Sequence, residues 1–290
     1  MELDHKHGKA RVRVARVWRG SPEKIVEWNV SVVLNSHSLA AYTHGDNSAI
    51  VATDTIKNTV YVIAKQCKEP LSVEQFGILL ARHFLSLYSE VTGVKVNIVE
   101  NPWQRVEIDG VPHHHGFKLG LEKHTAEVSI HDGIQKVASG VVGLSLLKTT
   151  KSGFEGFIRD RYTLLPEVRE RILASTISAS WSYSSEGCSY NKIYSEVLNT
   201  LVKTFFGPPT IGVYSPSVQN TLFLMAQEVL RRFSEIESIH LNMPNLHFLP
   251  VNMPALDEKF EHDVYLPTDE PHGTIEATLT RKNTTLPSKL

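Results

Sequence analysis

Apolar and basic residues alternate near the start of the chain, in the run ARVRVARVWR over residues 10–19. Val12 and Val14 fall on one face of an extended chain, and Arg11 and Arg13 fall on the other. Because successive residues of a strand point to opposite faces, this pattern predicts a half-buried strand. A Gly-Ser-Pro turn and a second apolar run over residues 25–34 follow. We therefore expect the two strands to form a hairpin.

Three later segments, residues 73–88, 191–206 and 218–233, have the apolar spacing of helices. Their apolar residues recur at intervals of three and four, which places them on one helix face. Before the first of these helices, Ser72 and Gln75 have the spacing of a capping box. Shorter runs predict further strands, at residues 94–99, 105–108, 141–147, 172–183 and 239–243, and a polar strand is predicted at residues 124–131.

The second half of the sequence repeats the first. Tyr88-Ser89-Glu90-Val91, between a helix and a strand, is echoed 145 residues later by Phe233-Ser234-Glu235-Ile236. Each half has strands, two helices and further strands, which is typical of an α+β domain with an antiparallel sheet and helices on one face. The sequence therefore predicts two such domains, residues 1–137 and 138–290.

The most unusual stretch runs from residue 46 to residue 66, where an apolar run stops at Thr53-Asp54-Thr55 and resumes with a different period. One interpretation is that Asp54 or Thr55 is the N-cap of a helix beginning near Ile56. The other is that the Thr53 hydroxyl and the adjoining backbone N–H groups face an anion at the positive end of that helix. The sequence leaves both interpretations open.

Composition narrows the classes of function. The chain has 30 Lys and Arg against 31 Asp and Glu, so it lacks the positive excess that sequence-independent binding of nucleic acid or of a membrane surface requires. No apolar run is long enough to span a membrane, and the charged N-terminus is unlike a secretory signal. We expect a soluble protein that is not secreted. Cys67 and Cys188 are far apart, so reduced thiols are expected.

Two further features concern metals and location. His113-His114-His115 are consecutive, so on an extended chain their side chains point to opposite faces and cannot all bind one metal ion. The chain finishes with Ser288-Lys289-Leu290, a tripeptide that at a C-terminus is recognised by the peroxisomal import receptor. Because peroxisomes host oxidases that release hydrogen peroxide, this address favours oxygen chemistry.

Several other residues are candidates for binding. Phe154 lies between two glycines and is either an exposed stacking platform or a core residue. Arg171 precedes an apolar strand and lies either at the mouth of a sheet or in a surface salt bridge. Val218 and Gln219 begin a helix after a Ser-Pro-Ser turn, so their backbone N–H groups are expected to be free donors.

Asn245 and His247 follow a strand, and their spacing puts both side chains on one face if the backbone there is extended. A histidine and an amide on the same face are a better site candidate than a lone histidine. Lys9 lies just before the first strand. Its residue type alone favours a solvated side chain.

Taken together, these motifs resemble the urate oxidase (uricase) family. Five motifs carry the resemblance, and they occur along the chain in that family's order: GDNSAIVATDTIKNTVY, FEGF, the SPSVQ turn, PNLHF and the terminal SKL. The resemblance runs from His7 to Leu290. It implies two tunnelling-fold (T-fold) domains per chain and a homotetramer whose sheets close into a barrel. It also implies active sites at subunit interfaces, and neither a metal nor a flavin as cofactor.

The resemblance also implies roles for the candidate residues toward urate, a flat anion. Phe154 would be the aromatic plate, Arg171 the planar cationic fork and Gln219 the amide that both donates and accepts. The Val218 N–H would add a donor. Thr53 and Asp54 would contact the opposite edge of the substrate.

For catalysis, the resemblance implies a proton relay of Lys9, Thr53 and His247, with Asn245 and Thr53 holding oxygen, peroxide or water. The reaction would convert urate, oxygen and water to 5-hydroxyisourate and hydrogen peroxide. A pterin or purine-ring hydrolase or epimerase on the same fold is one alternative, although such enzymes typically use a glutamate where Gln219 stands. A peroxisomal binding or scaffold protein with inactive chemistry is the other.

Overall fold

The computed structural model describes residues 3–256, 258 and 260–282, and the chain divides into two compact units. The first unit runs to Val142 and includes Ser185–Asn191. The second contains Gly143–Ser184 and the residues from Lys192 on. The domain boundary at residue 137/138 stays a prediction. No helix within the described residues is both long and apolar enough to cross a membrane.

The first unit has an antiparallel sheet in the order β1-β2-β3-β6-β7, a separate β4-β5 hairpin, and three helices. Its strands are β1 (Lys6–Trp18), β2 (Lys24–Ser36), β3 (Val91–Glu100), β4 (Trp103–Ile108), β5 (Val111–Leu119), β6 (Lys123–His131) and β7 (Ile134–Lys148), and its helices are α1 (Ala40–Thr43), α2 (Thr53–Gln66) and α3 (Val73–Leu87). β7 continues into the second unit from residue 143.

Alternation along the strands builds the core of this unit. Val12, Val30 and Val32 are buried on one face of the sheet, and burial of each such side chain contributes about 1.5–3 kcal/mol. Helix α3 packs on β3 and β6, and α2 packs on β1. Trp28 of β2 stacks on Phe76 of α3, with ring centroids 4.3 Å apart. The helices therefore cover one face of the sheet, as predicted.

The second unit has five further strands and two helices, the first of which begins two residues earlier, in the first unit: β8 (Leu173–Tyr183), α4 (Tyr190–Phe206), α5 (Val218–Arg232), β9 (Ile236–Asn242), β10 (Asn245–Pro250), β11 (Tyr265–Gly273) and β12 (Glu276–Thr280). β8 pairs antiparallel with β9 over residues 178–183 and with β10 at Ala174. β9 also pairs with β12, and β10 with β11. Helix α5 packs on β9 and β12.

The predicted repeat is confirmed, with its offset of 145 residues. That offset separates the first residues of α3 and α5, their last residues, and the first residues of β3 and β9. Ser72 and Ser217, the N-caps of the two helices, are separated by the same offset. The capping box of Ser72 and Gln75 is also confirmed.

Some strands differ from the sequence prediction. β7 begins at Ile134, seven residues before the predicted start at residue 141. The pattern did not predict β11 or β12. β11 was missed because it contains Pro267 and Pro271 and several charged residues. Proline lacks the N–H that a central strand needs, so such a run does not resemble a strand.

Candidate active site

The first group of predicted site residues lies where α2 begins, in the first unit. Helix α2 starts at Thr53, with Ala52 as an N-cap that makes no side-chain hydrogen bond. The prediction that Asp54 or Thr55 caps a helix beginning near Ile56 is therefore wrong. The helix begins earlier because Ala52 adopts the extended cap geometry and its carbonyl accepts from the Ile56 N–H at 3.1 Å.

This early start changes what the three polar residues do. The backbone N–H groups of Thr53, Asp54 and Thr55 precede the first intrahelical hydrogen bond and have no acceptor in the described part of the chain, so they are donors at the positive end of the helix. The Asp54 carboxylate instead accepts from Lys57 Nζ at 2.6 Å and Asn58 Nδ2 at 2.8 Å. Thr53 itself is exposed. Its hydroxyl makes no hydrogen bond within the described part of the chain.

Lys9 lies in β1, half-buried and opposite Val32 of β2. β1, which carries Lys9, packs against α2, and the charge of Lys9 helps to lower the pKa of Asp54, after the larger effect of the hydrogen bond from Lys57. Lys9 is therefore not the fully solvated lysine that its residue type alone favoured. The structure brings Lys9, Thr53 and Asp54 together at one end of α2.

Two neighbouring residues fix this end of the sheet. His7 Nε2 lies 3.0 Å from the carbonyl oxygen of Val51, which joins β1 to the segment before α2. A Cβ on Gly8 would lie 2.1 Å from the Val32 carbonyl oxygen, so only glycine fits beside Lys9. After Lys9 the strand has a bulge, with Arg11 at φ 59°. The alternating pattern gave no sign of this bulge.

The second group lies in the second unit, around Phe154 and Arg171. The Phe154 ring is half-buried and stacks on Phe157, with centroids 4.9 Å apart and planes 9° apart. The Arg171 guanidinium carbon lies 5.5 Å from the Phe154 ring centroid. Arg171 is half-buried, and the described residues form no salt bridge with it. Phe154 is thus neither a core residue nor fully exposed.

Arg171 has the electrostatics of a ligand-binding residue. Its Nε is buried without a hydrogen-bond partner among the described residues. Desolvation lowers its pKa, an effect that Tyr214 partly opposes. Because guanidinium stays charged and is poorly solvated here, it interacts more strongly with an anion than a surface arginine does. A buried donor of this kind is suited to bond a polar ligand.

Backbone hydrogen bonds hold these two side chains in place. Phe154 exchanges two hydrogen bonds with Val168, of 2.7 and 3.1 Å, and the Arg171 N–H donates to the Ser152 carbonyl at 2.8 Å. The Gly153 N–H donates to the Ser215 carbonyl at 3.0 Å. A Cβ on Gly153 would lie 2.1 Å from the Tyr214 hydroxyl oxygen. The glycine before Phe154 is therefore needed for close packing.

The Ser215 segment leads directly to Val218 and Gln219. Ser217 caps α5 by accepting from the Asn220 N–H at 3.0 Å, and the Thr221 N–H donates to the Ser217 carbonyl. The N–H groups of Val218 and Gln219 therefore have no acceptor among the described residues, as predicted. Gln219 is exposed and borders a cavity of about 110 Å³ between α5 and β12. We name the four residues Phe154, Arg171, Val218 and Gln219 the cradle.

Asn245 and His247 both lie on β10 two residues apart, as the prediction of a shared face requires, and the pairing of β10 with β11 is irregular between them. Leu246, between them, pairs with Ala174 of β8, three residues after Arg171. His247 borders a cavity of about 190 Å³ with Thr268 and Asp269 among the other lining residues. The strand β10 therefore carries both residues beside the strand that follows Arg171.

The histidine run, the two cysteines and the C-terminal tripeptide add no residue to either group. The rings of His113 and His115 lie on β5 with centroids 4.6 Å apart, and no group of three or more possible metal ligands occurs in the described part of the chain. Cys67 is buried and Cys188 half-buried, and both are free thiols. Ser288, Lys289 and Leu290 lie outside the described residues.

The fold and the two groups of residues define an α+β protein with two tunnelling-fold units and groups suited to bind a flat anion. A family model described as Uricase matches residues 5–129 and 137–276. The uricase of Arabidopsis thaliana is 57% identical, over 97% of this chain and 96% of the relative. Uricase-2 isozyme 1 of Canavalia lineata is 58% identical over the same shares of each chain.

A solved structure gives the same result. The uricase of Arthrobacter globiformis has a TM-score of 0.91 and 34% identity, covering 98% of this chain and 96% of that chain. The chain belongs to the uricase family and is an oxidoreductase. The family resemblance and the fold class predicted from the sequence are confirmed.

Proposed function

We propose that this chain oxidises urate with molecular oxygen and water, giving 5-hydroxyisourate and hydrogen peroxide. Membership of the uricase family supports urate oxidation. The observation that carries the proposal is the half-buried Arg171 guanidinium, with an unpartnered Nε, beside the Phe154 ring. A planar cation and an aromatic face suit a flat anionic heterocycle.

The reaction balances without another reactant. Urate loses two electrons, and oxygen takes up these electrons and two protons to become hydrogen peroxide. Water adds its hydroxyl group to C5 of the ring and releases its other proton. The protein then has to deprotonate and orient urate and to place oxygen over the ring. A bound cofactor is not part of this proposal.

Each candidate residue has a role in this scheme. Arg171 and Gln219 bind one edge of urate, the free N–H of Val218 adds a donor, and Phe154 stacks on the ring. Lys9, Thr53 and His247 relay protons. Asn245 and Thr53 hold the oxygen, peroxide or water molecule, and Asp54 presents its backbone N–H to the substrate. The free N–H groups at the start of α2 support a role in contacting an anion.

Four chains are proposed to assemble so that Lys9, Thr53 and Asp54 of one chain meet the cradle of a neighbour. Complementation tests this arrangement. Chains carrying Thr53→Ala and chains carrying Arg171→Ala should each have low activity alone at a urate concentration below KM. Unfolding and refolding them together should raise that activity, because some sites then receive intact residues from both chains. Refolded mixtures without regained activity would show that each site belongs to one chain.

The proposed location is the peroxisome, reached through the import receptor. It rests on Ser288-Lys289-Leu290 in the sequence. A fluorescent protein fused to the N-terminus should be found in peroxisomes, and removal of these three residues should leave it in the cytosol. Peroxisomal import of the shortened chain would contradict the assignment.

The reaction is tested by following urate absorbance and oxygen uptake with chelator-treated protein. We expect equal consumption of urate and oxygen in air, and no urate consumption without oxygen. Turnover that needs added metal, or no turnover in air, would overturn the proposal.

Two substitutions separate the roles. Thr53→Ala should lower kcat by about 100-fold and change binding of a non-oxidisable urate analogue little, since a group used in the chemical step is lost. Arg171→Ala should mainly weaken analogue binding. Thr59→Ala in α2 and Arg169→Ala, an exposed arginine paired with Glu155, are matched controls that should keep activity. The opposite pattern would contradict the assigned roles.

A further inference from the structure

A lysine with no assigned part in the reaction is buried at the end of β7. Lys148 is 9% exposed. Its Nζ donates to the Ser215 hydroxyl at 2.7 Å, the Val213 carbonyl at 2.9 Å and the Phe205 carbonyl at 3.3 Å. All three acceptors are neutral, and no carboxylate within the described residues forms an ion pair with it. The three protons of the ammonium group are thus all used.

Packing alone does not account for a buried ammonium group without a counter-ion, because its burial costs free energy. Lysine is almost never fully buried unless it is paired, because desolvation of its charge is costly. Desolvation lowers the pKa of Lys148 to about 8. An apolar side chain of similar length would fill the same space without that cost. The position of the acceptors suggests what the charge does instead.

The acceptors lie along the path to α5. Phe205 belongs to the last turn of α4, Val213 to the connection after it, and Ser215 to the turn before α5. The Ser215 and Thr221 hydroxyls are hydrogen-bonded at 2.7 Å, and Thr221 Oγ1 also contacts the Ser217 carbonyl at 3.0 Å. Lys148 is therefore connected to the first turn of the helix that carries Val218 and Gln219.

Ser215 is also hydrogen-bonded to the segment that carries Phe154, the other half of the cradle. The Ser215 N–H donates to the Lys151 carbonyl at 2.9 Å, and its carbonyl accepts from the Gly153 N–H, next to Phe154. Ser152, between these residues, accepts from the Arg171 N–H. The side-chain contact from Lys148 to Ser215 thus adds to these backbone hydrogen bonds, and to the bond from the Tyr214 hydroxyl to the Arg169 carbonyl, between the two segments that hold the four cradle residues.

We propose that Lys148 is a positioning residue for the cradle: by holding Ser215, it keeps Phe154 and Arg171 in register with the start of α5. This inference rests on the proposed function, because it assumes that the cradle binds urate. Lys148 does not contact urate in this scheme, so it should affect binding of the substrate and not the chemical step.

Lys148→Met keeps the length and removes the charge and the donors. We expect KM for urate and Kd for a non-oxidisable urate analogue to rise about tenfold, with kcat changed by less than about threefold, because uniform binding is lost. Ser215→Ala removes one acceptor and should raise both constants about threefold. Lys192→Met replaces a lysine whose side chain is 73% exposed and should change neither constant.

Unchanged analogue binding in both Lys148→Met and Ser215→Ala would overturn the role of Lys148, as would a fall in kcat with KM unaltered. If Lys148→Met does not fold, Ser215→Ala with a wild-type circular dichroism spectrum decides by the same criterion. The proposed function is judged separately, by the turnover of urate by the wild-type chain. Absence of that turnover overturns the function, whereas the ratio of variant to wild-type binding tests Lys148.

Discussion

The first turns of α3 and α5 are related by the repeat, yet they differ in exposure. The second residue of α3 is buried by protein side chains, which makes its start closed, and the second residue of α5 is exposed, which makes its start open. Both helices begin with a serine N-cap followed by valine, and Glu74 of α3 and Gln219 of α5 occupy the same position, 145 residues apart. Glu74 is 0% exposed, whereas Gln219 is exposed. The same helix start therefore serves two purposes.

In the first unit, side chains of the protein bond the residue at this position. A Glu74 carboxylate oxygen accepts from Ser139 Oγ and lies 2.8 Å from His124 Nε2. Burial acts to raise the pKa of Glu74, but hydrogen bonds from His124 and Ser139 and the charge of His124 together lower it. The acid is thus held ionised inside the unit.

In the second unit, the corresponding amide faces a cavity and adjoins two free N–H groups. A neutral amide there both donates and accepts, which a carboxylate cannot do when ionised. The two helix starts therefore differ in an acid against an amide, and in the presence or absence of protein side chains that satisfy it, which is the difference that the proposed binding role of Gln219 uses.

Exchanging the two residues tests this directly, and the largest effect is expected in the second unit. Gln219→Glu puts the residue of the first unit into the cradle, where its carboxylate repels an anion and cannot donate. We expect an about 100-fold weaker affinity for a non-oxidisable urate analogue, about 2.7 kcal/mol, measured by calorimetric titration.

Asn220→Asp adds the same charge one residue further along α5 and is the matched control. Its effect on affinity should stay below about threefold, because the charge is solvent-exposed and screened. Equal losses in the two variants would mean that net charge at the helix start, and not the Gln219 amide, decides binding.

The reciprocal substitution, Glu74→Gln, is expected to change the free energy of unfolding. Glu74→Gln keeps the shape but weakens buried hydrogen bonds to a charged acceptor, and we expect a loss of about 2 kcal/mol in the free energy of unfolding. Denaturant unfolding measures it. Glu196→Gln, on the exposed face of α4, should stay within about 0.5 kcal/mol. A neutral result at Glu74 would show that the first unit does not depend on the acid.

Removing the caps has a smaller effect and separates the two helices by function. Ser72→Ala and Ser217→Ala should each cost about 1 kcal/mol of stability. Only Ser217→Ala should also raise KM for urate, because its helix carries free N–H groups in the cradle. A raised KM in Ser72→Ala would contradict the distinction between the closed and the open helix start.

The smallest expected effect is a dependence on pH. Because the pKa of Glu74 is lowered in the folded chain from its usual 4.5, its contribution to stability is present above that value and is lost as pH falls through the folded pKa. The stability deficit of Glu74→Gln should therefore be full above about pH 4.5 and shrink below it. Unfolding at a series of pH values measures the deficit; a constant or growing deficit would contradict the direction of this shift.

The sequence predicted the helices of the repeat well, because the periodic apolar face and the serine caps are local signals. It also predicted the free N–H groups of Val218 and Gln219, since a Ser-Pro-Ser turn fixes where α5 begins. The start of α2 was missed because Ala52 caps it without any side-chain bond. A polar residue next to a helix start looked like the better cap, although Asp54 bonds Lys57 and Asn58 instead.

Other features depend on long-range contacts and leave no local pattern. Lys148 ends a strand, where a lysine is usually solvated, and its acceptors lie 57 to 67 residues away. Glu74 lies in the first turn of a helix, a favourable place for an exposed acid, yet it is buried against residues of β6 and β7. Burial of such charges can be recognised only when the partner segments are in place.

The paired hydrogen bonds between Phe154 and Val168 have a consequence for how this chain tolerates insertions and deletions. They close the base of an excursion over residues 155–167, whose outer part leaves Ile158 95% and Leu164 92% exposed. Lengthening a closed loop costs only about 0.6 kcal/mol for each doubling. Length can therefore vary between Ile158 and Leu164, beyond the Phe157 ring that stacks on Phe154, while the aromatic ring at the base keeps its position.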